Sequence, residues 1–177
     1  MSVAANRYAR ALMDVLYPNN AEVGLQQLQS FLTLLTEQPE ARTFLENPTM
    51  AGGRRNRLLK EISDALSFDR KVSNFINILT DRNRLSILDE VVEEYRKMLD
   101  DRLGIVRARV TAARSLDPVQ HRELASKLEQ VTGKQVRMEV AVDPSLSGGV
   151  IAQVGSTIYD GSVRQQLQAF KSRLIEE

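Results

Sequence analysis

At Gly104 the spacing of apolar residues switches from a helical period to a strand period, so the chain has to fold as two differently built parts. Before the switch, from residue 3 to about 103, the pattern is helical throughout. Tyr8, Leu12, Val15 and Leu16 share one face, and Tyr17-Pro18-Asn19-Asn20 breaks it. Leu25, Leu28, Phe31, Leu32 and Leu35 mark a second helix. Pro39 opens a short third helix carrying Phe44 and Leu45, because proline fits the first helical position. Leu58, Ile62, Ala65 and Leu66 predict a fourth, Val72, Phe75, Ile76 and Leu79 a fifth, and Leu88 to Leu99 a long sixth.

After the switch, Val106, Ala108, Val110 and Ala112 alternate with Arg107, Arg109 and Thr111, the period of a strand with one wet face. Asp117, Pro118 and Gln120 are spaced for a capping box at the start of a helix whose buried stripe is Leu124, Leu128 and Val131, and Gly133 ends it. Val136, Met138, Val140 and Val142 form a second alternating run. A third strand is expected at Val150 to Val154, an extended piece at Thr157 to Tyr159, and a closing helix with Val163, Leu167, Phe170 and Leu174 inward. The fold class is therefore α+β overall: an all-α six-helix bundle over residues 1–104, then a small α+β domain over 105–177.

Chemistry finds little to build on. The 177 residues contain no cysteine and one histidine, His121, which excludes disulfides, thiolate chemistry and a zinc site of nitrogen and sulfur ligands. No serine or carboxylate pattern marks His121 as a general base. Gly148, Gly149 and Gly155 could suggest a phosphate cradle, yet Gly155 is followed by Ser156-Thr157 and the P-loop lysine is missing. These glycines read as positions where a side chain would block a backbone angle or a close approach, and Asp160 or Ser162 as the cap of the last helix. No cofactor and no metal is expected.

With 24 basic and 23 acidic side chains the net charge is +1, which points at neither nucleic acid nor an anionic bilayer. Arg54, Arg55, Arg57 and Lys60 form one basic cluster and Arg102, Arg107, Arg109 and Arg114 another. Aromatics are 5% of the chain and none interleaves with these arginines, so solvated faces or docking charges for an acidic partner fit better than stacked bases. A nucleic-acid-binding adaptor remains the alternative. No apolar run approaches the roughly 20 residues that span a bilayer, and Met1 to Arg7 leads straight into a helical pattern without a signal or transit segment.

Two sets of residues carry a resemblance. Leu146-Ser147-Gly148-Gly149-Val150-Ile151, followed by Gly155 and Asp160-Gly161-Ser162, and, at the other end, Tyr8-Ala9-Arg10-Ala11-Leu12 with Asn74-Phe75-Ile76 and Asn83-Arg84-Leu85, resemble the delta subunit family of the rotary ATP synthase, called the oligomycin-sensitivity-conferring protein in mitochondria. The matches run from end to end, with Ser147 standing where the family has a bulky aliphatic residue. The resemblance implies a non-catalytic stator connector, present once per complex. Its first domain would hold the N-terminal helices of the alpha subunits in a groove between the first and fifth helices, which implicates Ala5, Tyr8, Ala9, Leu12, Ile76 and Leu79. Its second domain would hold the peripheral-stalk b subunits. Membrane association would come only through the complex, on the cytoplasmic face of a bacterial cell membrane.

Overall fold

The computed structural model describes residues 2–146 and 148–161. Within them lie seven α-helices, a 3₁₀ turn at Leu85–Ile87 and a four-stranded sheet. The chain divides between Leu99 and Asp100 into two compact units, the first helical and the second α+β.

In the first unit α1 (Val3–Leu16), α2 (Ala21–Glu37), α3 (Pro39–Glu46), α4 (Gly52–Ala65), α5 (Arg70–Asp81) and α6 (Leu88–Leu103) follow in order, α6 running past the division. The Ser2 hydroxyl accepts from the Ala4 amide and Asp69 accepts from the Lys71 amide, so α1 and α5 start on side-chain caps. Pro39 opens α3. Ala5, Ala9 and Met13 are fully buried together with Leu12 and Leu16, so the line of small residues on α1 lets that helix sink into the core. Leu28, Phe31, Leu35, Leu59, Val72, Leu79, Leu88 and Tyr95 are among the residues that pack with it.

One polar knot ties this core. The Tyr95 hydroxyl donates to the Ala21 carbonyl at 3.1 Å, and Gly24, one turn further along α2, faces Leu16 and that same hydroxyl. A second knot corrects the reading of Arg55 as a solvated charge. It is 7% exposed, its Nη1 donating to Asn83 Oδ1 at 2.9 Å and to the Thr80 carbonyl at 3.4 Å. The guanidinium thus serves carbonyls at the C-terminal end of α5, where a cation is favoured by the helix dipole. Its neighbours Arg54, Arg57 and Lys60 are exposed.

In the second unit the strand order is β2-β1-β3-β4, with β1 (Ile105–Ala112) parallel to β2 (Gln135–Val142) and antiparallel to β3 (Val150–Val154), and β4 (Thr157–Asp160) antiparallel to β3. Parallel neighbours need a crossover, and α7 (Pro118–Thr132) is that crossover. Asp117 and Gln120 close its capping box, and Gly133 ends it at φ +67°. Ala108, Val110, Leu128, Val136, Ala152 and Val154 form the core. Val131 departs from the expected buried stripe, standing 64% exposed in the last turn of α7, where Leu128, Glu129 and Thr132 are the side turned inward. Gly104, at φ +65°, turns α6 into β1, and Arg107 grips Asp100 across that turn through two guanidinium nitrogens. The closing helix expected over Val163 to Leu174 lies outside the described residues.

Two measurements check this packing. A methyl at Gly24 would overlap Leu16 Cδ1. Gly24→Ala should therefore cost about 1–2 kcal/mol, the overpacking outweighing the helix-propensity gain, and chemical denaturation reads the loss. Second, Lys97, and after it the Asn6 amide, hold the Glu94 carboxyl below the usual glutamate range. A lowered folded pKa contributes stability that is whole above the unfolded value of about 4.3 and fades as pH falls through the folded value. Denaturation below about pH 4 should show Glu94→Gln losing less stability per pH unit than the parent chain.

Candidate groove between the first and fifth helices

Helices α1 and α5 leave a cleft of about 320 Å³ between them. Tyr8, Ala11, Leu12 and Val15 line it from α1, and Lys71, Asn74, Phe75 and Ile78 from α5. Each set follows the same spacing of i, i+3, i+4 and i+7, one stripe of a helix surface. Lys71 meets Val15 while Phe75 meets Tyr8, so the two helices run in opposite senses. Val15 is 52% and Ile78 50% exposed, so the walls present apolar side chains to solvent.

The polar groups are few: Lys71 and Asn74 on α5 and the Tyr8 hydroxyl on α1. The Tyr8 ring stands edge-on to Phe75 with centroids 6.3 Å apart, and the Arg84 guanidinium carbon lies 5.7 Å from the Tyr8 centroid. That sandwich holds the Tyr8 ring at the cleft wall. Lys71 Nζ donates to the Val15 carbonyl at 3.0 Å, satisfying an acceptor in the last turn of α1. Among the described residues no carboxylate lines the cleft.

Of the six residues implicated from the sequence, Tyr8 and Leu12 line the cleft. Ala5, Ala9, Ile76 and Leu79 are at most 1% exposed and belong to the core. Ala11, Val15, Lys71, Asn74, Phe75 and Ile78 line it as well. Val15 stands on the same apolar face as Tyr8 and Leu12 and Phe75 on that of Val72 and Leu79, while Ala11, Asn74 and Ile78 lie beside those faces and carry no signal of their own in the spacing.

A second concavity, of about 380 Å³, lies in the α+β unit beside Ala112, Arg114, Leu116, Gln120, Gly148 and Gly149. Gly148 and Gly149 adopt φ +148° and +84°, and Gly155 +59° in the turn from β3 to β4. The first-turn amides of Val119 and Gln120 are already taken by the Asp117 carboxylate, so the start of α7 offers them to no phosphate. Asp160 is the last residue of β4, and Ser162 lies outside the described residues. His121 is exposed on α7. Among the described residues no three His, Cys, Asp or Glu side chains gather to hold a metal, and no helix is long and apolar enough to cross a membrane.

Comparison with known proteins gives one answer throughout. The family model described as ATP synthase delta (OSCP) subunit matches residues 4–174. The chain is 40% identical over 175 residues to an ATP synthase subunit delta of Anaeromyxobacter dehalogenans, covering 98% of each chain. It is 38% identical over 173 residues to that of Myxococcus xanthus, covering 96% of this chain and 95% of the relative. A chain in the cryo-EM structure of the Toxoplasma gondii mitochondrial ATP synthase hexamer shares the fold, with a TM-score of 0.65 at 22% identity and coverage of 99% and 98%.

The burial difference between floor and wall has a measurable outcome. Ile78→Asp should change unfolding free energy by no more than about 0.5 kcal/mol, as for other exposed positions. Leu12→Asp, at a site 3% exposed, should cost more than about 3 kcal/mol. Thermal melts of the two variants compare them directly.

Proposed function

The chain belongs to the ATP synthase delta (OSCP) subunit family and is a non-catalytic stator component of that complex, and from this premise we propose how it makes its two attachments. Residues 1–104, packed as a six-helix bundle, receive the amphipathic N-terminal helix of an alpha subunit in the groove between α1 and α5. Residues 105–177 hold the C-terminal end of the peripheral-stalk b subunits. One copy serves each complex, at the cytoplasmic face of a bacterial cell membrane and attached to that membrane only through its partners.

The observation that carries the groove assignment is the cleft itself. Two antiparallel helices present matched i, i+3, i+4, i+7 stripes with exposed Val15 and Ile78, which is what an amphipathic helix with its own apolar stripe fills. An apolar cleft of this kind gains most from a few anchors that become fully desolvated, and here Tyr8 and Phe75 are the aromatic candidates. Attachment at a second site makes each contact effectively intramolecular, so the pair retains the head and the stalk better than either alone. A connector under torque needs slow release more than chemistry. The nucleic-acid alternative loses ground because Arg55 is spent inside the fold and Arg107 is bound to Asp100.

The test is calorimetric titration of the full chain with a synthetic peptide of the alpha subunit's N-terminal helix from the same organism. One-to-one binding is expected, weakened at least tenfold, about 1.4 kcal/mol, in Ile78→Asp, whose fold the preceding measurement monitors. Absence of binding by a chain whose circular dichroism shows it folded would overturn the groove assignment.

A further inference from the structure

The two walls of the groove share one spacing. Two helices running in opposite senses carry lining residues at the same four positions, with Leu12 answering Phe75 and Val15 answering Ile78, so turning a visiting helix around presents it with the same spacing and a similar pair of apolar steps. Shape alone then discriminates weakly between the two directions. Charge does not share this symmetry. Among the described residues that line the cleft Lys71 is the one cation, at the end where α1 finishes, and none is a carboxylate; Arg84, at the other end, is engaged with the face of the Tyr8 ring.

Lys71 is also held. Its ammonium donates to the Val15 carbonyl, whose helix has run out of amides to offer that acceptor. An ammonium has three N–H groups, so two remain once this bond is made. A lysine anchored on a helix C-terminus has lost much of the freedom that makes surface ion pairs weak.

Resting on the proposal that this groove receives a partner helix, we infer that Lys71 is the residue that sets the partner's direction. It takes a carboxylate of the visiting helix, so that the visitor's acidic residue lies at the Lys71 end and its remaining length runs toward Tyr8 and Ile78. Lys71 acts here as a specificity-determining residue, and the apolar walls supply most of the affinity.

The experiment uses the full chain and the alpha subunit N-terminal peptide. Lys71→Gln should weaken binding about threefold at about 10 mM salt and leave it unchanged near 1 M, where the Debye length has shrunk to about 3 Å. Lys71→Arg should keep the affinity, since the positive charge remains. A peptide with its acidic residues replaced by their amides should bind the parent chain and Lys71→Gln equally. Direction is read by disulfide formation, which the absence of native cysteine makes unambiguous. A peptide carrying one cysteine beside its acidic residue should cross-link to Arg70→Cys at the start of α5 and not to Arg82→Cys at its end. Cross-linking to Arg82→Cys instead, or to both alike, would overturn the assignment, as would a Lys71→Gln effect that ignores salt. If the parent chain fails to bind the peptide at all, it is the groove reading that falls.

Discussion

Helix α1 has to satisfy two apolar demands at once, and the first unit is arranged around how it does so. Its inner side, from Ala5 through Ala9, Leu12 and Met13 to Leu16, is buried. The alanines keep that side narrow enough for the helix axis to sit deep. Once α1 is sunk in this way, its flank at Tyr8, Ala11 and Val15 is left facing the flank of α5 rather than the core. The cleft follows from the depth of one helix. Had Ala5 and Ala9 been leucines, α1 would stand further out and the two flanks would not converge on a common hollow.

The second unit answers a different problem. A sheet that opens with a parallel pair needs a covering crossover, and α7 meets that need with both of its ends closed, one by the Asp117–Gln120 capping box and the other by Gly133. The like-charged Arg107 and Arg137 stand opposite one another on β1 and β2, an arrangement that costs stability unless counter-charges are near. Asp100 supplies one from the last turns of α6, and Glu139 lies 3.8 Å away. Both counter-charges meet Arg107, the arginine nearer the turn from α6.

Much of this was legible in the residues. The change of period at Gly104 separated helices from strands because a helix and a strand cannot share one apolar spacing. Asp117, Gln120 and Gly133 announced the ends of α7 because capping is local chemistry, decided within three or four positions. What stayed hidden depends on neighbours distant in sequence. Arg55 reads as one of four solvated cations, and only the approach of Thr80 and Asn83 gives its guanidinium carbonyl partners. Val131 continues the stripe of Leu124 and Leu128, but the inward side of that turn is the one carrying Glu129 and Thr132. Family resemblance pointed to α1 and α5, between which a cleft does lie, yet four of the six residues it implicated lie in the core, because periodicity identifies a helix's apolar side without saying how far round that side the packing reaches.

The contact among Leu16, Gly24 and Tyr95 has a consequence on the timescale of sequence divergence. Three helices meet where one of them has no side chain, so the three positions are filled as a single volume. Alanine at Gly24 presses on the end of the Leu16 side chain, and shortening Tyr95 removes the hydroxyl that occupies the Ala21 carbonyl. A smaller residue at Leu16 is therefore the replacement that would offset alanine at Gly24, so the cost of change at one of these positions depends on what stands at the other.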